Sequence, residues 1–314
     1  MLKSGAGEVT DDRVVSSIGD DAAITRISSK LVALTTADFF TPIIDDPYIQ
    51  GQIAACNATN DIYAKGALDI ISVLVLMGVP ENMPSDVQTL MLKGFIDFCK
   101  SVRAPVVGGQ TIICPWPILG GAVTALAAPD KIIPISDARP GDRLVLTKPL
   151  GIQPIMELLR LPETGQDKMA EQIPTEEISK SVDYAVRLMT TTNRTATEAM
   201  LQISVDAATD VTGYGIAGHA ANMAEQSNVS IDIHTLPVIK WAPRISEALK
   251  IPLLEGEGVE TAGGLLISVG PEKVGALQEA LSKKGCAGYE IGTVSEGPGR
   301  ALVRKDPKII EVLG

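Results

Sequence analysis

Three runs of strand length, LVALTTADFF (31–40), DIISVLVLMGV (69–79) and ILGGAVTALAA (118–128), alternate with helix-like stretches at 47–65 and 84–102. Apolar and β-branched residues at that length and spacing read as strands, and the segments between them have the period of helices. The first half is therefore an α+β unit. The turn cluster SDARPGD (136–142) closes it. Beyond lie RLVLTK, a helical region over 174–203, and ATDVTGYG leading into the helix-like IAGHAANMAEQ. The strand-like VSIDIH, GGLLISV and YEIGTV follow, with PEKVGALQEALSKKG as a helix with Pro near its start and Gly at its end. A chain of 314 residues exceeds one typical core. Two domains are expected, 1–142 and 143–314.

A formal net charge of -11 disfavours nucleic acid and anionic membrane surfaces as partners, while leaving room for a local cationic pocket. The longest apolar run, IISVLVLMGV, is far shorter than the roughly 20 residues that span a bilayer, and MLKSGAGEVTDDR has no apolar leader core. The expected location is the cytoplasm. Cys56, Cys99, Cys114 and Cys286 contain no C-x-x-C pair and signal neither a disulfide framework nor a zinc site.

The segment ACNATNDIYAKG (55–66) puts Asn57, Asn60 and Asp61 into an otherwise apolar helix. On a helix Ile53, Asn57 and Asp61 share a face, so Asn57 and Asp61 are positioned to project together into a cleft. Other acidic residues sit beside small ones: Asp20 and Asp21 in GDDAAI, Asp38 in TTADFF, Asp45 and Asp46 before PY, and Asp210 in ATDVTGYG. Mg²⁺ takes a few carboxylates together with phosphate oxygens, and dispersed aspartates at element edges suit a metal–nucleotide site. Each aspartate also has a plain reading, as a solvated turn or a helix cap. Glycines in VVGGQT (Gly108, Gly109, then Gln110 and Thr111), TGYG and TAGG would let backbone approach a phosphate, or simply make tight turns. Neither the P-loop nor the dinucleotide glycine pattern is present.

GDDAAI, TTADFFTPIIDDPYIQGQIAACNATNDIYAKG, VVGGQT, RPGDRLVLTKPLG, TDVTGYGIAGHA and ETAGGLLISV, in this order, resemble the selenophosphate synthetase (selenide, water dikinase) family of the aminoimidazole ribonucleotide synthetase superfamily. GGQTIICPWPILGG resembles its eukaryotic-type branch. The resemblance implies an α+β fold of two α/β domains. The N-terminal one (1–142) binds ATP and Mg²⁺ and contributes strands to a dimeric β-barrel, and 143–314 forms the C-terminal α/β domain. It implies a homodimer that uses ATP, selenide and water to make selenophosphate, AMP and orthophosphate. Carried over by motif, Asp21, Asp61 and Asp210 are metal ligands. Asp20, Thr36, Asp38, Asn57, Gly108, Gly109, Gln110, Thr111 and Lys148 are the expected contacts to ATP or its metals.

The family's N-terminal glycine-rich segment carries a Cys or selenocysteine near a Lys. Here no cysteine precedes Cys56, and Lys3 is the only lysine ahead of GDDAAI. The catalytic group is therefore unassigned, and the expectation is a chain impaired in making selenophosphate although its nucleotide site is present. Ala37 and Ala262 stand where the family often has Thr and Ser. Three classes stay open: a selenophosphate synthetase, a related ATP-dependent enzyme with another acceptor, and a catalytically silent nucleotide-binding paralogue. His219 is expected to serve as a structural hydrogen-bonding residue, His234 to end a strand, and Trp116 to pack. Asn193 and Arg194 are expected to touch the cleft from a helix break.

Overall fold

A computed structural model describes residues 11–16 and 19–313. Lys3 and the rest of 1–10 lie outside them. The contacts divide the chain into two units, residues 1–134 with 192–201, and 135–191 with 202–314. The expected boundary at 142 thus falls inside the second unit, and within 192–201 the sequence pointed toward the cleft only at Asn193 and Arg194.

In the first unit, β1 (Val14–Ser16), β2 (Ala23–Ser28), β3 (Leu31–Phe40), α1 (Pro47–Ala64), β4 (Asp69–Val79), α2 (Ser85–Ser101), β5 (Val106–Ile113) and β6 (Ile118–Ala127) follow in order. Their six strands form one sheet in the order β1-β2-β3-β6-β4-β5, antiparallel except for the parallel pair β4–β5. β3 shows why one side of this sheet faces the core. Val32 and Leu34 are buried while Thr35, Ala37 and Phe39 are exposed, so the even positions face inward and the odd positions outward.

α1 starts where Asp46 accepts hydrogen bonds from the backbone N–H groups of Tyr48 and Ile49, 2.9 and 3.0 Å away, with Pro47 in the first helical turn. Asp46 is therefore a helix cap. Ile53, Ala54, Ala58 and Ile62 bury α1 on nearly all sides, and a helix enclosed that way is a core helix whose polar side chains need partners. α2 packs on it through reciprocal glycines: a Cβ on Gly51 would lie 2.0 Å from the Met91 carbonyl, and one on Gly94 would lie 1.9 Å from the Tyr48 carbonyl. Only hydrogen side chains let the two backbones approach so closely.

The second unit holds β7 (Arg143–Leu146), α3 (Ile152–Leu159), α4 (Glu163–Ala170) and α5 (Thr175–Thr190). α6 (Arg194–Ile203) then starts within the segment assigned to the first unit. β8 (Ala207–Asp210), α7 (Gly215–Ser227), β9 (Val229–Ile239), α8 (Ala242–Leu249), β10 (Leu265–Val269), α9 (Val274–Lys283), β11 (Tyr289–Glu296) and β12 (Arg300–Val312) complete it. The sheet order is β12-β9-β11-β7-β10-β8, with β12–β9 parallel. The helical region expected over 174–203 is two helices, α5 and α6, broken at 191–193. Each sheet is mixed and carries helices, an α+β architecture. No helix among the described residues is long and apolar enough to cross a membrane.

Candidate active site

The polar residues of α1 find their partners on β3. Asn57 Nδ2 donates to Asp38 Oδ2 at 3.3 Å, and Thr36 Oγ1 donates to Asp61 Oδ2. The match follows from two periodicities. Four helical residues rise about 6.0 Å and two strand residues about 6.6 Å, so Asn57 and Asp61 fall opposite Asp38 and Thr36 on an antiparallel run. Asn60, fully buried, accepts from Asn193 Nδ2 at 2.9 Å. Arg194 donates to the Leu68 carbonyl at 2.7 Å and Thr197 Oγ1 to the Tyr63 carbonyl at 2.9 Å. Residues 192–201 thus complete the polar side of α1.

Beyond the C-terminus of α1, Lys65 Nζ lies 2.7 Å from Asp20 Oδ1 and 3.1 Å from Asp21 Oδ2, and all three side chains are buried. Ser16 Oγ donates to Asp20 Oδ2 at 2.6 Å, and the Asp21 backbone N–H donates to Oδ1 at 2.9 Å. Burial by itself would raise the Asp20 carboxyl, and the charge and hydrogen bonds around it outweigh this and hold it below the usual carboxylate range. Lys65 is raised: burial opposes its charge, and Asp21 and Asp20 prevail. Asp38 is raised, by burial and then by the negative charge of Asp21. Asp21 therefore stands within electrostatic reach of both Lys65 and Asp38.

Among the described residues no three His, Cys, Asp or Glu side chains are gathered as a ready metal-ligand set. The donors nonetheless fit a hard divalent ion. Asp21 and Asp38 are carboxylates close enough to repel, and Asp61 is tied through Thr36 to the strand that carries Asp38. Oxygen donors of one sign at close quarters are what Mg²⁺ binds.

Asp210 lies in the second unit, at the end of β8, 2% exposed and paired in register with Leu265. The DVTGYG loop after it is held by His219, whose Nε2 accepts from the Thr212 backbone N–H at 3.0 Å. That is the structural role expected of His219, and it places the ring proton on Nδ1.

Four expectations differ from the structure. VVGGQT makes no tight turn but lies inside the exposed edge strand β5, so Gly108, Gly109, Gln110 and Thr111 alternate between its two faces. Gly109 is reached from Asp38 through Gly121 and Val75, three strands or about 14 Å away. Lys148 donates to the carbonyls of Leu188, Thr191 and Ala262 at 2.9, 2.7 and 2.7 Å. Its three protons are thus directed to backbone, because a buried ammonium needs that many acceptors. Trp116 is 70% exposed, and His234 sits mid-strand in β9 with Nδ1 2.9 Å from Thr235 Oγ1.

Sequence reading missed Lys65. A lysine at a helix end before glycine looks like a solvated C-terminus, and the only signal was its position four residues after Asp61.

Two family matches cover this architecture: "AIR synthase related protein, N-terminal domain" over residues 19–127 and "AIR synthase related protein, C-terminal domain" over 139–305. The chain is 45% identical to selenide, water dikinase of Methanocaldococcus jannaschii, across 98% of this chain and 90% of that protein. It is 36% identical to selenide, water dikinase 2 of Homo sapiens, across 99% of this chain and 72% of that protein. Among solved structures, thiamine-monophosphate kinase from Stenotrophomonas maltophilia shares the fold at TM-score 0.71 and 19% identity, over 94% of this chain and 92% of that one. Hydrogenase maturation protein HypE in complex with ATP does so at TM-score 0.70 and 16% identity, over 96% and 93%.

Proposed function

This chain belongs to the selenide, water dikinase family of AIR synthase related proteins, and from that membership we propose how its residues serve the family reaction. The reaction is the ATP-dependent synthesis of selenophosphate from selenide, with release of AMP and orthophosphate. ATP and selenide are its small-molecule substrates.

Asp21 and Asp61 would hold Mg²⁺, and Asp210 is assigned as a metal ligand by its motif. When bound, that ion neutralises polyphosphate oxygens and lowers the barrier to phosphoryl transfer. The chain itself supplies placement. Thr36 fixes the rotamer of Asp61, Asn57 fixes that of Asp38, and Asp38 and Thr36 border the nucleotide phosphates. Asp20 and Lys148 are left out of the nucleotide contacts because their polar atoms are engaged by protein groups.

The observation that carries the reading is the pairing of α1 with β3. Packing alone would fill Asn57 and Asp61 with apolar side chains, and each instead meets a polar group on the strand that continues the acidic cluster.

The protein acts as a homodimer in this reading. Phe39, Leu74 and Ile112 are exposed on the sheet face away from α1, 56, 42 and 50% respectively, and among the described residues β5 leaves an unpaired edge. Apolar surface next to an open strand edge is stabilised by a second copy.

The test is AMP production from ATP with and without selenide, with selenophosphate detected by phosphorus NMR. From the family membership selenide-dependent AMP is expected, in place of the impairment expected from the N-terminal sequence. ATP consumption indifferent to selenide would overturn the acceptor assignment, and nucleotide-analogue binding unaffected by chelation would overturn the Mg²⁺ assignment.

A further inference from the structure

Lys65 is fixed at every level of its structure. It follows the last residue of α1, and its own N–H bonds to the Asp61 carbonyl at 3.2 Å. Its carbonyl accepts from Ile133 N–H at 3.1 Å, and Gly66 then turns the chain at φ +81°, where a Cβ would lie 2.6 Å from the Lys131 carbonyl. The side chain is 0% exposed. An ammonium buried to that degree persists only with charged or strongly polar partners, and Asp20 and Asp21 provide them at 2.7 and 3.1 Å.

The two aspartates are held differently. Both oxygens of Asp20 meet protein donors: Oδ1 meets Lys65 and the Asp21 N–H, and Oδ2 meets Ser16. Asp20 is thereby an anchor for the ammonium. Asp21 meets the same ammonium through Oδ2, and it is the aspartate of the pair assigned to the metal. A fixed positive charge beside a metal ligand repels a free dication and attracts a polyphosphate, and it cannot swing away as an exposed lysine would.

We propose that Lys65 is a resident counter-cation of the acidic site: it keeps Asp20 as a permanent partner and shares Asp21, so that the site admits a divalent ion together with a polyphosphate in preference to the free ion. Lys65 is then a positioning and specificity-determining residue. This inference rests on the reading that Asp21 belongs to the metal–nucleotide site.

The test uses the full chain stripped of metal, with Mn²⁺ as the probe followed by electron paramagnetic resonance, with and without a non-hydrolysable ATP analogue. In the wild-type protein the analogue should tighten Mn²⁺ binding about a hundredfold, since like charges a few ångströms apart in a partly buried site repel strongly. Equally tight Mn²⁺ binding without analogue overturns the proposal, and this arm requires no variant. The double variant Asp20→Asn/Lys65→Met removes both charges of the buried pair and so leaves neither uncompensated. It should bind free Mn²⁺ about three- to tenfold tighter than wild type, with the preference for the Mn²⁺–analogue complex reduced to match. A purely structural Lys65 would lower the melting temperature and leave that ratio unmoved, which also overturns the proposal. Asp21→Asn separates the two levels of inference. If it retains Mn²⁺–analogue binding, the metal–nucleotide reading itself fails. If it loses that binding while the double variant behaves as wild type, only the role of Lys65 fails.

Discussion

The Thr36 hydroxyl donates to Asp61 Oδ2 from the strand neighbouring α1, two residues before Asp38 receives Asn57. Strand and helix spacings coincide over this stretch, so the backbone sets the carboxylates before any ligand arrives. Asp61→Asn keeps an oxygen acceptor for Thr36 and removes one charge. The fold should survive, with a melting temperature within about 4 °C of wild type, a shift worth on the order of 1 kcal/mol or less. Mg²⁺-dependent binding of an ATP analogue, read by calorimetry, should weaken about tenfold or more. A strongly destabilised variant whose folded form binds the analogue with Mg²⁺ as tightly as wild type would make Asp61 a structural residue.

β3, β4 and α1 were legible because their signals are local. Strand alternation in LVALTTADFF and polar residues at helical spacing in ACNATNDIYAKG each need one window of sequence, and both elements span the expected residues. The partners were not legible. Lys65 meets Asp20 from 45 residues away and Lys148 meets Ala262 from 114 away, so the same residue type reads as an active-site cation or a structural clasp only after folding. β5 misled for the opposite reason. Two glycines weaken a strand pattern, and GGQT looked like a turn where the structure continues the edge strand.

Lys148→Met tests the clasp. The change deletes three charged hydrogen bonds to Leu188, Thr191 and Ala262 and strands their carbonyls. A loss of about 3 kcal/mol or more in chemical denaturation is expected, because a buried carbonyl without a donor keeps its desolvation penalty. Unchanged stability with lost nucleotide affinity would restore Lys148 to the phosphate site.

Gly94→Ala tests the α1–α2 contact. Its Cβ would sit 1.9 Å from the Tyr48 carbonyl, so the helices must separate. The expected cost is about 1–3 kcal/mol by urea denaturation. Gly275→Ala in α9, where nothing lies within 4 Å of the added Cβ, is the control and should be neutral or slightly stabilising. Equal effects at the two positions would show that helix propensity, and not the close approach, governs Gly94.

Glu260 gives the protein a pH-dependent stability. Its carboxylate is buried and accepts from the N–H groups of Gly151 and Ile152 at 2.6 and 3.0 Å, at the start of α3. Burial raises its pKa to about 8 from an ordinary 4.5, and the two N–H bonds, which favour the ionised form, only partly offset it. Between those values the folded protein binds a proton that the unfolded chain has released, so stability falls as pH rises from 5.5 to 7.5. The slope is at most about 1.4 kcal/mol per pH unit. Glu260→Gln cannot ionise and should lack this slope, although its overall stability drops because an amide offers only one acceptor to two N–H groups. Urea denaturation of both proteins at the two pH values isolates the effect, since other titrating groups contribute equally to each. Identical slopes would mean that the helix N-terminus, with its two donors and the positive end of the dipole of α3, keeps Glu260 ionised at neutral pH and outweighs its burial.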